Sequence, residues 1–153
     1  MSKTIVINSG YFNPIHPGHI ECMELSKKLG DELWVIVNND QQAEVKRGVK
    51  SFEDQEFRMA IVRAIKPVDR VFLSVDTSTD SYNGICDSLV LLHDEVKKTY
   101  GKDAKIIFAK GGDRNAGEVP EGKICAKYGI QIVDGLGLKT HNSSDYVKNK
   151  TIK

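Results

Sequence analysis

A chain of 153 residues with 28% charged residues, 40% hydrophobic residues and a net charge of +1 suits one soluble globular domain with a proper core. That balance leaves no basic field for nucleic acid, no apolar run nears a bilayer span, and Met1-Ser2-Lys3 leads into a strand-like run where a secretory segment would place its apolar region; no nucleic-acid partner, no membrane partner and a cytoplasmic location are expected. Cys22, Cys86 and Cys125 are odd in number and widely separated, which suggests neither a disulfide framework nor a zinc CxxC pair; they read as reduced thiols half-buried on helices.

In chain order, Thr4–Asn8 reads as a strand, followed by a helix over about 18–29 with Ile20, Met23 and Leu25 on one side and Lys27 and Lys28 on the other, stopped at Gly30. Leu33–Val37 is the second strand, and its nearly continuous apolarity, like that of the first, implies burial on both faces, as in a parallel sheet. A basic loop, Val45-Lys46-Arg47-Gly48-Val49-Lys50, precedes a helix over about 53–65. Val68–Leu73 is a strand, 81–100 a long helix on which His93 reads as exposed, Lys105–Ala109 a strand, 119–128 a helix and Ile130–Val133 the last strand. This alternation predicts α/β architecture: a doubly wound, Rossmann-like, five-stranded parallel sheet in a single domain spanning 1–153, without linker or repeat.

The stretch Gly10-Tyr11-Phe12-Asn13-Pro14-Ile15-His16-Pro17-Gly18-His19 is then the loop after the first strand, running into the first helix. Ligands of open α/β sheets gather at the carboxyl ends of the strands, beside helix N-termini. There His16 falls in the loop, His19 in the first helical turn, and Gly18 permits close approach to the backbone. Free amide N–H groups and the helix dipole attract phosphate, the dipole by roughly 0.3–1 kcal/mol when exposed and up to about 2 when partly buried. Two imidazoles add hydrogen-bond donors, and positive charge if protonated. A phosphate chain is the expected ligand.

The HxGH sequence His16-Pro17-Gly18-His19, with the preceding Gly-x-Phe-x-Pro, resembles the signature of the cytidylyltransferase-like nucleotidyltransferases. Leu29–Leu33 followed by Val37-Asn38-Asn39-Asp40 looks like the second strand of the glycerol-3-phosphate cytidylyltransferase and heptose-phosphate adenylyltransferase branch. Arg58 and the run Ala64–Asp69 sit where that branch has ERxxxV and VD, Ala109–Arg114 matches its KGGD turn, and Asn142-Ser143-Ser144-Asp145 resembles its C-terminal serine motif. One HxGH is shared with class I aminoacyl-tRNA synthetases; four motifs in this order are specific.

The resemblance implies in-line attack by an acceptor phosphate oxygen on the α-phosphorus of CTP or ATP, with pyrophosphate leaving and no covalent enzyme intermediate. It makes His16, His19 and Lys46 catalytic. Gly10, Tyr11, Phe12, Gly18, Gly111, Gly112, Asp113, Ser143 and Ser144 would bind the nucleotide, and Asn13, Arg58 and Asp69 the acceptor. Mg²⁺ would be held by substrate and water, since no carboxylate cage is apparent, and a homodimer is implied. Arg58 has a plainer alternative, pairing with Glu53 or Asp54 on its own helix. Three departures bear on the acceptor: Asn13 stands where relatives often carry Asp, no Arg follows Ser144, leaving Lys139 or Lys148 for that role, and the segment 76–103 is long. The first expectation is therefore transfer of CMP or AMP to a phosphorylated sugar or polyol. The alternatives are adenylyl transfer to a cofactor precursor (phosphopantetheine, FMN or nicotinamide mononucleotide) and a non-catalytic nucleotide-binding regulator.

Overall fold

The computed structural model describes residues 2–48, 53–76, 84–111 and 121–137, and in it each of the apolar runs becomes a strand. The strands are β1 (Thr4–Gly10), β2 (Glu32–Val37), β3 (Arg70–Leu73), β4 (Lys105–Gly111) and β5 (Gln131–Leu136), all parallel, in the order β3-β2-β1-β4-β5. Between them run α1 (Pro17–Lys27), α2 (Asp40–Arg47), α3 (Gln55–Arg63), α4 (Cys86–Tyr100) and α5 (Gly122–Tyr128). No described helix is long and apolar enough to cross a membrane.

Strand side chains alternate between faces, so an unbroken apolar run is stable only when both faces are covered. Ile5, Ile7, Trp34, Ile36 and Phe108 share one core with Leu89, Leu92 and Val96 of α4 and Cys125 of α5. Val6, Leu33, Val35 and Ala109 share the other with Met23 of α1 and Val62 of α3. The doubly wound reading is borne out. Chain order runs outward from β1 through β2 to β3, then crosses to β4 and β5, so the topological switch lies between β1 and β4. A ligand crevice is expected at their carboxyl ends.

Several boundaries move by a residue or two. α3 starts at Gln55 because the Asp54 side chain caps it, accepting from Phe57 N at 2.8 Å. α4 begins at Cys86, and the expected turns before Gly84 lie outside the described residues. His93 is not exposed as expected: its side chain is 17% exposed, bonded to Asp94 and edge-on to Tyr128. Each cysteine lies on a helix as expected, with Cys22 and Cys86 partly covered, but Cys125 is fully buried where half-burial was expected.

Two corrections concern larger pieces. The basic loop is not a loop through its first half: Val45, Lys46 and Arg47 form the last turn of α2, while 49–52 lie outside the described residues. The stretch DQQAEVKR has only two apolar residues, Ala43 and Val45, too few to announce a helix. Its ends carry the signal instead: Asn39 and Gln42 form a reciprocal capping box, and Gly48 closes the helix with φ 72°.

The second correction concerns Gly30, expected to stop the first helix. α1 ends at Lys27 with Lys28 right-handed, and Gly30 is absent from the residues with positive φ. A Cβ there would lie 2.7 Å from the Thr4 carbonyl oxygen and 2.9 Å from Val6 Cγ2. Gly30 is small because the chain leaving α1 passes against the start of β1, where Asp31 N donates to Thr4 O at 2.8 Å. Gly30→Ala should lower unfolding stability by about 1–3 kcal/mol, read as a lower urea midpoint at unchanged slope. Unchanged stability would show that β1 is free to move away.

Candidate active site

β1 delivers the chain to the crevice at Gly10, and the loop then folds back on itself. Phe12 takes φ 51°, a left-handed conformation rare for a bulky residue and costing of order 1–3 kcal/mol. What it gains is burial: Phe12 is 5% exposed, with its ring over Gly10, where a Cβ would meet ring carbons at 2.8 and 2.9 Å. Gly10 is thus required by Phe12, and the Asn13–Pro14 bond that follows is cis.

His16 is the N-cap of α1, extended at φ −145°, with Pro17 at the first helical position where its missing N–H costs nothing. The His16 Nδ1 accepts from Gly18 N at 3.1 Å, and the His19 Nδ1 accepts from His16 N at 3.1 Å. This is a capping box built from two histidines. The rings stack with centroids 3.7 Å apart, and Phe12 closes on His19 edge-on at 5.0 Å.

The box decides the chemistry of both rings. An Nδ1 that accepts is unprotonated, so in the neutral ring the proton sits on Nε2, which becomes the donor. A second proton on either Nδ1 would break a cap bond and bring charge onto a closely stacked ring. The arrangement suits neutral donors, not the charged pair entertained from sequence. The expected free amides are also corrected: Gly18 N is taken by His16 Nδ1, and His19 N and Ile20 N both donate to the His16 carbonyl. An anion at this turn would meet the imidazoles and the helix dipole in place of free amides.

Arg58 is where sequence reasoning departs furthest from the structure. Its side chain is 0% exposed and pairs with neither Glu53 nor Asp54 through their carboxylates. Nη1 donates to Tyr11 O and Asn38 O, both at 2.7 Å, Nε to Glu53 O at 2.9 Å, and Nη2 to Asp40 Oδ1 at 2.8 Å. With four donors spent on the protein, Arg58 holds the loop and is not a free cation for an acceptor. Asp69 is likewise corrected. It lies just before β3, at the amino ends of the strands, accepting from Leu33 N at 2.8 Å and pairing with Lys27 at 2.5 Å, across the sheet from His16.

Asn13 is 1% exposed beside this frame, its Oδ1 accepting from Glu53 N at 3.0 Å. On the other side of β1, Gly111 ends β4 where a Cβ would lie 3.2 Å from Cys22 Sγ of α1. A register shift between Ala109 and Gly111 turns the strand there. So the structure brings Gly10, Tyr11, Phe12, Asn13, His16, Gly18, His19 and Gly111 to one end of the sheet. Gly112, Asp113, Ser143, Ser144, Lys139, Lys148 and His141 lie outside the described residues, and of Lys46 only its place on α2 is described.

Asn38, Asp40 and Glu53 were missed as site residues, because two of them act through backbone carbonyls that no side-chain pattern reveals. Asn8 was missed too: from mid-strand its Nδ2 reaches Ser26 Oγ at 2.9 Å and Ala109 O at 3.0 Å, pinning α1 and β4 to β1. No thiol is activated: burial, then Glu121, Asp76 and Asp87, push Cys86 up to about 11, and burial pushes Cys125 up to about 12. Among the described residues no group of three His, Cys, Asp or Glu could hold a metal ion.

The model of the family described as cytidylyltransferase-like matches residues 7–125. The chain is 40% identical over 77 residues to the FAD synthase of Methanoregula boonei, covering 50% of this chain and 51% of that protein. It is 32% identical over 113 residues to bifunctional protein HldE of Actinobacillus succinogenes, 72% of this chain and 24% of that one. It thus spans about half the length, or less, of these curated relatives. The crystal structure of the lipopolysaccharide core biosynthesis protein from Thermoplasma volcanium superposes with a TM-score of 0.63 at 27% identity, covering 92% of this chain and 100% of that one.

Arg58→Ala removes one donor set from four oxygens at once and leaves the Asp40 carboxylate without its guanidinium. It should cost about 3–5 kcal/mol in equilibrium denaturation. Arg58→Lys should recover only a small part, since an ammonium cannot span the same fork. Wild-type stability in Arg58→Lys would mean that charge alone, without fork geometry, holds the loop.

Proposed function

The chain belongs to the cytidylyltransferase-like family, and from that premise we propose that it is a nucleotidyltransferase moving AMP from ATP to the phosphate of a small acceptor. One observation carries the reading: two stacked imidazoles, each tied through Nδ1, stand at the start of α1 at the switch point of the sheet. An oxygen of the acceptor phosphate attacks the α-phosphorus in line. A new P–O bond forms as the bond from that phosphorus to the bridging oxygen breaks, and the electron pair leaves with pyrophosphate.

Negative charge grows on the equatorial oxygens and the bridging oxygen, so catalysis calls for fixed donors more than for a strong base. His16 and His19 supply them from a loop whose backbone Arg58 holds. The absence of an activated thiol fits direct transfer. Lys46, Gly112, Asp113, Ser143 and Ser144 are proposed to complete the nucleotide's surroundings. The donors at the loop suit anions and not a hard cation, so Mg²⁺ would be held by the nucleotide's own oxygens and by water, where it offsets phosphate charge.

The similarity to a FAD synthase supports AMP over CMP, because FAD is FMN joined to AMP, and it makes FMN the first acceptor to test. Sugar phosphates are the second, favoured by the likeness, over 92% of this chain, to a protein of lipopolysaccharide core biosynthesis. The experiment is pyrophosphate release with ATP or CTP against a panel of phosphorylated acceptors. Release with ATP and at least one acceptor is expected; nucleotide binding with no release from any pair would leave a binding protein in place of an enzyme.

His19→Ala should lower kcat by about 10²–10³-fold and, having lost one cap bond, the melting temperature by only a few degrees. An unchanged kcat would remove His19 from the transition state.

A further inference from the structure

Glu121 opens α5 without capping it. A carboxylate at a helix N-cap ordinarily turns back to accept from the amides of its own first turn, but the Glu121 side chain makes no such bond. It crosses instead to the start of α4, where Ile85 N donates to Oε1 at 3.3 Å. Gly84 makes room for it: a Cβ on that residue, whose φ is 57°, would overlap Oε1. Glu121 is 4% exposed, and Oε2 has no hydrogen-bond partner among the described residues. A buried carboxylate oxygen without a donor forfeits its hydration and regains nothing, so the place calls for a donor.

Topology sets this residue at the same end of the sheet as the histidines, on the opposite wall. β1 and β4 are neighbours; the chain after β1 runs to α1 on one face of the sheet, and the chain after β4 reaches α5 on the other. The two departures bound the crevice at the switch point, with His16 and His19 on the first and Glu121 on the second. A line of hydrogen bonds joins them. Gln42 Nε2 donates to Gly84 O at 2.9 Å, Asn38 Nδ2 donates to Gln42 Oε1 at 3.2 Å, and the Asn38 carbonyl shares Arg58 Nη1 with the Tyr11 carbonyl. The carboxylate is therefore held relative to the histidine loop by the protein's own frame.

A carboxylate repels phosphate, and without a group of three metal-ligating residues among the described residues it makes no cation site. What it can accept is an uncharged O–H or N–H. ATP and both classes of candidate acceptor, FMN and sugar phosphates, carry hydroxyls on the carbon atoms next to their phosphates. We infer that Glu121 Oε2 accepts a hydrogen bond from a substrate hydroxyl, on the ribose of the nucleotide or on the carbon chain of the acceptor, and so positions the uncharged part of that substrate while its phosphate lies at the histidine loop. The inference rests on the transfer reading above and adds to it a residue that reads what the phosphates are attached to.

Glu121→Gln tests this, because it keeps the oxygen that Ile85 N requires and exchanges the unpartnered one for an amide that donates. Where the ribose is the partner, affinity for ATP, read by calorimetry, should fall at least about fivefold, and the fall should disappear with either the 2′-deoxy or the 3′-deoxy form. Where the acceptor is the partner, ATP affinity stays as in the wild type and the KM of the acceptor that supports turnover rises by the same factor, with kcat little changed. No change in ATP affinity or in acceptor KM, or an equal loss with ATP and both deoxy forms, would overturn the inference and leave the transfer reading standing. Gly84→Ala, whose methyl group displaces the carboxylate without removing it, should reproduce the loss, and it carries the test should Glu121→Gln fail to fold. If the wild type releases no pyrophosphate with any acceptor, the transfer reading falls, and the ATP series alone decides the role of Glu121.

Discussion

A guanidinium taken fully out of water is the constraint on which the carboxyl end of this sheet depends. Burying Arg58 costs several kcal/mol of hydration, and the fold recovers that only because four oxygens from four segments meet it. Tyr11 lies in the loop after β1, Asn38 follows β2, Asp40 opens α2 and Glu53 precedes α3. Because the fork is planar and rigid, these segments are not merely near one another; their relative positions follow from one group's geometry. Losing any one of the four would leave an unsatisfied N–H in a fully buried side chain, so the cluster forms together or not at all.

That rigidity explains how a loop with a left-handed Phe12 holds two histidines in a fixed stack. The strain at Phe12 is sustained by burying its ring between Gly10 and His19, and the ring in turn limits where His19 can lie. Capping through Nδ1 then gives both imidazoles a defined tautomer without any carboxylate partner, the usual device for orienting a histidine. The cost is that the first-turn amides of α1 are spent on the cap. A short loop cannot offer the same N–H groups both to its own structure and to a ligand, and here structure has them.

Strands were readable because burial on both faces forces continuous apolarity, which is visible in Ile5, Val6 and Ile7 without knowledge of any neighbour. The histidine loop was readable because Pro, Gly and His at that spacing mark a strand-to-helix turn. Helix α2 was not, since only two of its residues are apolar and its signal lies in the caps at its ends. Asp69 and Arg58 show the other limit. Both are charged residues near a motif, one at the wrong end of the sheet and the other consumed by backbone carbonyls. Charge in a sequence says that a partner exists, not whether that partner is protein or ligand.

The topology gives the two sides of the crevice different characters. On the β4 side, Gly10 and Gly111 stand at neighbouring strand ends, Gly10 covered by the Phe12 ring, and α1 comes close enough that a methyl group on Gly111 would press on Cys22. On the β2 side, Asn13, Asn38, Asp40 and Arg58 form a polar network whose donors are nearly all committed. An in-line displacement needs the entering and leaving oxygens on opposite sides of phosphorus, and therefore a site with two unlike flanks and donors between them. A histidine pair set between glycines on one flank and an amide frame on the other has that form, and it follows from β1 lying where the strand order reverses.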